Sequence, residues 1–537
     1  MSRRVLGPPG PWQEMRAGFG WDIPERYNIA ERCCDSWADT DPGRTAIIHV
    51  AEDGTREVWS YGRLRDASDR LAGALAARGV RRGDRVAVLL AQSPEVLLAH
   101  MAILKLGAVV LPLFTLFGTD ALAYRLSDSG ARAVITDAAN LGKVLSLRAD
   151  LPELAAIFSV DPAAPPVLRL GTEIAAARPH TRVDTGAGDP AMLIYTSGTT
   201  GPPKGVLHAH RFLIGHLTSI ETHHPGFGEV PGDVGWTPAD WAWIGGLMDM
   251  AVPCLYYGVP LVSRRMRKFD PADAYALIRA EGITRLFLPP TALKLMRQSP
   301  PDMPLQVRSI GSGGESLGTA LSDWAAAHLG APVNEIYGQT ECNLVLASVH
   351  GLMEVRDGAM GLPAPGHDVA LIDAEGRPVA PGQIGEIAVR RPDPVMFLEY
   401  WNKPDKTAGK FAGDWMRTGD LATQDAQGYF TYVSRDDDVI TSAGYRIGPT
   451  EIENCLTGHP DVVMAAVIGV PDPVRTEVVK AFVVLRDGAT WEGLEPALIQ
   501  RVRDRVSPHV APRQVVRVDA LPMTATGKIM RRALRDG

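Results

Sequence analysis

Four aliphatic hydroxyls (Thr196, Ser197, Thr199, Thr200), three glycines (Gly198, Gly201, Gly205) and Lys204 lie within residues 195–205, which read Tyr-Thr-Ser-Gly-Thr-Thr-Gly-Pro-Pro-Lys-Gly. Glycines let backbone N–H groups turn toward an anion, while hydroxyls add donors and the lysine adds charge. That chemistry suits a polyphosphate. It is not a Walker A loop, because Lys204 stands between Pro203 and Gly205 rather than in Gly-Lys-Ser/Thr. The apolar run Met192, Leu193, Ile194 predicts a short buried strand leading into the loop.

Further along, residues 334–342 read Asn-Glu-Ile-Tyr-Gly-Gln-Thr-Glu-Cys. They carry two carboxylates, Glu335 and Glu341, the kind of ligand a hard cation bridging phosphate oxygens wants. Residues 309–316, Ser-Ile-Gly-Ser-Gly-Gly-Glu-Ser, pack small side chains around one acid. In Trp-Met-Arg-Thr-Gly-Asp-Leu at 415–421, Asp420 is an acceptor suited to hydroxyl donors. Three more segments carry clustered polar groups: Ser-Arg-Asp-Asp-Asp at 434–438, Ser-Ala-Gly-Tyr-Arg-Ile-Gly-Pro-Thr-Glu-Ile-Glu at 442–453, and Pro-Met-Thr-Ala-Thr-Gly-Lys-Ile-Met-Arg-Arg at 522–532.

Together these segments resemble, in order and spacing over roughly residues 40–537, the signatures of the acyl-adenylate-forming enzymes. That superfamily holds acyl-CoA synthetases, luciferases and peptide-synthetase adenylation domains. The resemblance implies that ATP, Mg²⁺ and coenzyme A are required. It places the polyphosphate on residues 196–201 and Lys204, the adenine beside Gly314, Glu315, Ser316 and Tyr337, and the ribose by Asp420 and Arg435. Thr340 would bond the α-phosphate and Glu341 would hold the metal. Lys528 would reach the acyl carboxylate and α-phosphate, with Lys204 and Thr340 as its catalytic companions. Asp437 matches the hinge acid about which a small domain turns. Gly444 would line the pantetheine channel, where only a missing side chain leaves room, with Arg446 in the same cofactor-binding loop. Lys528 also resembles the site at which protein acetyltransferases silence such enzymes by removing the ammonium charge.

The chemistry implied is activation of a carboxylic acid. The acid attacks the α-phosphate of ATP, expels pyrophosphate, and the acyl-AMP is then captured by a thiol. Three positions bear on which acid. Gly338, Gly313 and Gly245 stand where acetyl-CoA synthetases carry Trp, Val and Thr, while Trp243 keeps an aromatic wall. All three replacements are expected to enlarge the acyl space. The pattern is most similar to medium-chain acyl-CoA synthetases, and a medium-chain, branched or aryl acid larger than acetate is expected. Loading of a carrier protein, amide formation, and a short-chain acetate or propionate ligase are the alternatives.

The surrounding elements fit such a site. At 537 residues the chain exceeds one core. Strand-like runs at 46–50, 85–90, 109–113 and 133–137 alternate with helical stripes such as Leu64, Ala67, Leu71 and Leu75. This predicts a parallel-rich α/β domain. Beyond about residue 360, turn signals at Asp373-Ala-Glu-Gly and Asp425-Ala-Gln-Gly predict a β-hairpin-rich subdomain. From residue 438 a small mobile α+β domain is expected, giving a division of 1–434, a hinge at 435–437, and 438–537. Apolar residues make up 45% and charged ones 22%, with a net charge of −7, which offers no basic face for nucleic acid. Five scattered cysteines (33, 34, 254, 342, 455) suggest neither a disulfide framework nor a zinc site, and point to a reducing cytoplasm. No uninterrupted apolar segment of membrane length occurs. The oligomeric state is not legible.

Overall fold

The structure is a computed structural model. It describes residues 3–7, 10–196, 202–314, 317–435, 438–442, 445–472, 476–508, 510–524 and 529–536. Among these, three sheets form the frame. The first has eight strands. Its parallel part runs through Leu168–Arg169, Ala156–Ser159, Ala133–Thr136, Arg85–Leu89, Val109–Pro112 and Pro190–Thr196. These strands read as continuous apolar runs because helices cover both faces. Helix Tyr61–Ala77 begins where the Ser60 side chain accepts from the Arg63 N–H, and it buries Leu64, Leu71 and Leu75. Helix Pro94–Lys105 starts on its proline, and Ser93 before it makes no side-chain capping bond.

At its edge this sheet turns antiparallel. Strand Pro190–Thr196 leads into the hydroxyl- and glycine-rich loop, and Lys204–Ala209 returns beside it. The loop therefore closes a β-hairpin. In a Walker A unit it would open a helix. The two-residue strand Glu399–Tyr400 then pairs with the return strand, setting Tyr400 opposite Val206.

The second sheet has fourteen strands. From Thr45–Val50 it runs parallel through Leu261–Ser263, Gly235–Trp236, Arg285–Phe287, Ser309–Gly313 and Val333–Gln339. There it changes direction. Asn343–Ser348 is antiparallel to Val333–Gln339, and Thr340 and Glu341 sit in the turn between them. The hairpins expected after residue 360 are present at Val369–Ile372 with Ile384–Arg390 and at Trp415–Gln424 with Phe430–Arg435. They do not make a sheet of their own: Ala359–Pro363 joins them to the large one.

Helix Phe212–His223 is buried all round, with its Ser219 hydroxyl donating to the Leu344 carbonyl. Residues from Ile440 onward build the third, five-stranded sheet, covered by Pro449–Thr457 and Leu494–Arg505. Among the described residues no helix is long and apolar enough to cross a membrane.

Candidate active site

The turn that carries Glu341 faces the phosphate-loop hairpin through one aromatic residue. Glu341 is 7% exposed, and its Oε1 accepts from the Tyr400 hydroxyl at 2.5 Å. The Lys204 ammonium stands 4.6 Å from the centroid of the same Tyr400 ring. Burial alone would push the Glu341 carboxyl up, but Lys410, the Tyr400 hydroxyl and Lys204 outweigh it and hold it below the usual range. Burial lowers the Lys204 pKa, with Glu341 opposing that shift and Lys410, Lys406 and Arg435 adding to it. Three further cations thus act on Lys204. Such convergence is costly without an anion and suits a polyphosphate.

A second group lies on the same side. The Tyr337 hydroxyl donates to Asp420 Oδ2 at 2.7 Å. The Gln339 amide donates to the Thr418 carbonyl at 3.1 Å, and Lys410 donates to Gln339 Oε1 at 3.1 Å. Asp420 and Arg435 are directly opposed across the Trp415–Gln424 and Phe430–Arg435 strands. Thr196 and Lys204 are likewise opposed at the mouth of the hairpin. The structure therefore brings together Thr196, Lys204, Tyr337, Thr340, Glu341, Asp420 and Arg435. Gly314, with φ of +103°, takes a backbone conformation that a side chain would strain. Ser197, Gly198, Thr199, Thr200, Gly201, Glu315, Ser316, Asp437, Gly444 and Lys528 lie outside the described residues. Arg446 is described by its backbone alone, in strand Tyr445–Ile447.

Tyr400, Gln339 and Lys410 are site residues that motif reading does not find. Tyr400 lies 59 residues from Glu341, and only the short edge strand brings them together. Gln339 sits inside a recognised motif, but its role depends on the neighbouring strand.

The three acyl-side glycines need correction. A Cβ on Gly338 would lie 1.5 Å from the Asn343 carbonyl oxygen, and one on Gly313 would lie 2.4 Å from that of Ile336. At Gly245 it would meet the Trp243 ring at 2.8 Å. None of the three faces open space. Gly338 and Gly313 let neighbouring backbone approach, helped at Gly338 by a register shift between Tyr337 and Gly338. Gly245 lets the Trp243 indole fold across it, toward Phe287 at 5.7 Å.

Behind that indole the helix takes one wide π turn at Leu247–Ala251. Asp249 in this turn lies 3.4 Å from His216, whose Nε2 bonds the Met248 carbonyl at 2.6 Å. Burial pushes His216 down to about 3 and Asp249 well up. His216 is therefore neutral near pH 7, and its contact with Asp249 is not an ion pair. His223, on the same helix as His216, is pushed down by burial to about 4.

Among the described residues no group of three His, Cys, Asp or Glu side chains could hold a metal on its own. Glu341 is a lone carboxylate. That donor set fits Mg²⁺, which commonly takes one or two carboxylates and fills its shell with water and substrate phosphate.

The chain matches the AMP-binding enzyme family over residues 34–401 and the AMP-binding enzyme C-terminal domain over residues 451–528. It is 34% identical to acyl-coenzyme A synthetase ACSM2, mitochondrial, of Rattus norvegicus, covering 96% of this chain and 92% of that one. It is 31% identical to an acetyl-coenzyme A synthetase of Bacillus subtilis, over 98% and 93%. Among solved structures it superposes with a TM-score of 0.87, at 27% identity, on the anthranilate CoA ligase AuaEII in complex with anthranoyl-AMP, over 96% and 98%.

Proposed function

The chain belongs to the AMP-binding enzyme family, and on that premise we propose how its residues perform the reaction of an ATP-dependent acyl-CoA synthetase, an AMP-forming acid–thiol ligase using ATP, Mg²⁺ and coenzyme A. A carboxylate is a poor electrophile because its leaving group would be oxide. Adenylation substitutes AMP, a good leaving group. One observation carries the assignment of roles: Lys204, Tyr400 and Glu341 form a chain of contacts facing the Tyr337–Asp420 pair. The polyphosphate then lies between the hairpin loop and the Glu341 turn, with the ribose against Asp420 and Arg435. Glu341 is the residue that would hold Mg²⁺, which would supply charge neutralisation to the phosphates. Lys204 and Thr340 hold the α-phosphate as pyrophosphate leaves, and Lys528 completes the site from the C-terminal domain.

Residues 435–437 serve as the hinge between 1–434 and 438–537. Rotation at Asp437 withdraws Lys528 and brings Gly444 and Arg446 to the thiol of coenzyme A. Glu315 and Ser316 border the adenine beside Gly314. Acetylation of Lys528 by a protein acetyltransferase would switch off the first half-reaction. The cytoplasm is the working compartment, consistent with five unpaired cysteines.

For the acid we propose a substrate larger than acetate, whether medium-chain, branched or aryl. With the glycines reassigned, support comes from the Trp243 and Phe287 rings and from the burial that keeps His216 and His223 neutral and raises the Asp249 pKa. An aryl acid is bound as its adenylate by the anthranilate ligase this chain resembles. A panel of carboxylic acids assayed for CoA-dependent AMP release tests the reading. Preference for acetate over a six-carbon or aromatic acid would overturn the size assignment. Acyl-AMP formed without consumption of free coenzyme A would point to a carrier-protein or amine acceptor.

A further inference from the structure

The phosphate loop is gripped from behind by a single helical turn. Helix Thr119–Ser129 presents Tyr124 and Asp128, four residues apart and so on one face. The Tyr124 hydroxyl donates to the Pro203 carbonyl at 3.0 Å, on the stem that leaves the loop. Asp128 Oδ2 accepts from the Tyr195 hydroxyl at 2.6 Å, on the stem that enters it. Lys403 ties the two together, donating to the Tyr124 hydroxyl at 3.3 Å with its ammonium 3.7 Å from Asp128 Oδ1. The Tyr124 and Tyr195 rings meet edge to face at 6.3 Å. The Asp128 carbonyl accepts from the Trp401 indole and the Asn402 side-chain amide, both at 3.0 Å, while the Trp401 backbone N–H donates to the Gly205 carbonyl at 2.7 Å.

We propose that Tyr124, Asp128 and Lys403 are positioning residues for ATP: they clamp both stems of the phosphate-loop hairpin and thereby fix where Lys204 enters the site. The inference rests on the acyl-CoA synthetase reading and deepens it. Pro203 immediately precedes Lys204, so its carbonyl is the last fixed point before the lysine. Lys403 and Tyr400 lie in one short segment, so the same stretch of chain supports Glu341 on one side and the brace on the other. None of the three brace side chains contacts Asp420, Asp249 or His216 in the bonds described above. The brace should therefore act on the nucleotide step and leave the acid and the thiol step alone.

The test uses the full-length enzyme and nearly isosteric changes: Tyr124→Phe, Asp128→Asn, and the pair Lys403→Met and Lys403→Arg. KM and kcat are measured for MgATP, acid and coenzyme A, together with thioester formation from supplied acyl-AMP. Tyr124→Phe, Asp128→Asn and Lys403→Met should each raise the KM for MgATP about five- to tenfold. The KM values for acid and coenzyme A should stay within twofold, and so should the thioester step. Lys403→Arg should recover most of the loss. An unchanged KM for MgATP in Tyr124→Phe and Asp128→Asn overturns the brace. So does an equal fall in both half-reactions, which would mark the residues as general scaffolding. A wild-type enzyme lacking acid-dependent AMP formation would instead overturn the synthetase reading on which the brace depends.

Discussion

On the phosphate side of the site, Glu341 keeps its charge although burial opposes it, because Lys410, Tyr400 and Lys204 stabilise the carboxylate. Around the π turn that follows Trp243, Asp249 and His216 lie 3.4 Å apart, and burial raises the Asp249 pKa and lowers that of His216, disfavouring charge on both. Cations and a hydroxyl overcome burial at the first carboxyl, while burial dominates at the second. The phosphate side provides fixed charge where a phosphoryl group develops it. The π turn is buried and favours the uncharged form of both of its groups. The proposed function makes the first region the chemical wall of the site and the second its acid-selecting wall.

The largest expected effects fall on the charged side. Glu341→Gln keeps the shape and the Tyr400 contact but removes the charge, so acyl-AMP formation should drop about 10²–10³-fold. Pyrophosphate release at saturating Mg²⁺ measures this, and a loss of less than tenfold would show that the carboxylate is dispensable. Lys528→Ala should produce a comparable loss in adenylation, with thioester formation from supplied acyl-AMP largely intact. Equal loss of both half-reactions would contradict a lysine that acts in one conformation only.

Next in size is Gly338→Trp. With a Cβ at 1.5 Å from the Asn343 carbonyl oxygen, the side chain cannot enter without moving the Tyr337–Leu344 hairpin. A stability loss of about 3 kcal/mol is expected, at the upper end of ordinary overpacking. Chemical denaturation reads it. A stable variant with a clean shift toward acetate would restore Gly338 as a lining residue of the acyl space.

These cases show what was legible in the sequence. Glu341 and Asp420 could be singled out because each sits in a compact motif, and the structure sets Glu341 against Tyr400 and Asp420 against Tyr337. Tyr400 could not, because a two-residue edge strand carries it to Glu341 and no spacing announces that. Gly338 was misread for a different reason. A glycine in place of a large residue suggests space, yet the direction of its missing side chain depends on the register shift at Tyr337. The hairpins at 369–390 and 415–435 were legible as hairpins, but their union with the parallel strands depends on pairing through Ala359–Pro363.

A smaller effect concerns acid. His208, His216 and His223 have pKa values of about 4, 3 and 4 in the fold, against 6.5 unfolded. Because these values are depressed, the unfolded chain binds more protons below pH 6.5. Stability should be unaffected by them above that value and fall as pH drops toward 4, by about 1.4 kcal/mol per unit for each histidine. His216→Gln should reduce that slope by one proton in denaturation curves from pH 7 to 4.5. An unaltered slope would mean His216 is already protonated in the fold.

The smallest effect sharpens the contrast most. Asp249→Asn makes the same carboxyl-to-amide change as Glu341→Gln, but at a group whose uncharged form burial favours. A raised folded pKa gives stability that is present below the unfolded value of 3.8 and lost as pH rises. The asparagine variant should therefore be at least as stable as wild type at pH 8, with kcat within about threefold. A fall approaching that of Glu341→Gln would erase the distinction between the two walls.

Exchange of labelled pyrophosphate into ATP, with acid and Mg²⁺ present and coenzyme A omitted, tests the division most directly. Expected is exchange that requires the acid, proceeds without coenzyme A, collapses in Glu341→Gln and survives in Asp249→Asn. Exchange without acid, formation of ADP and phosphate in its place, or parallel loss in both variants would contradict it.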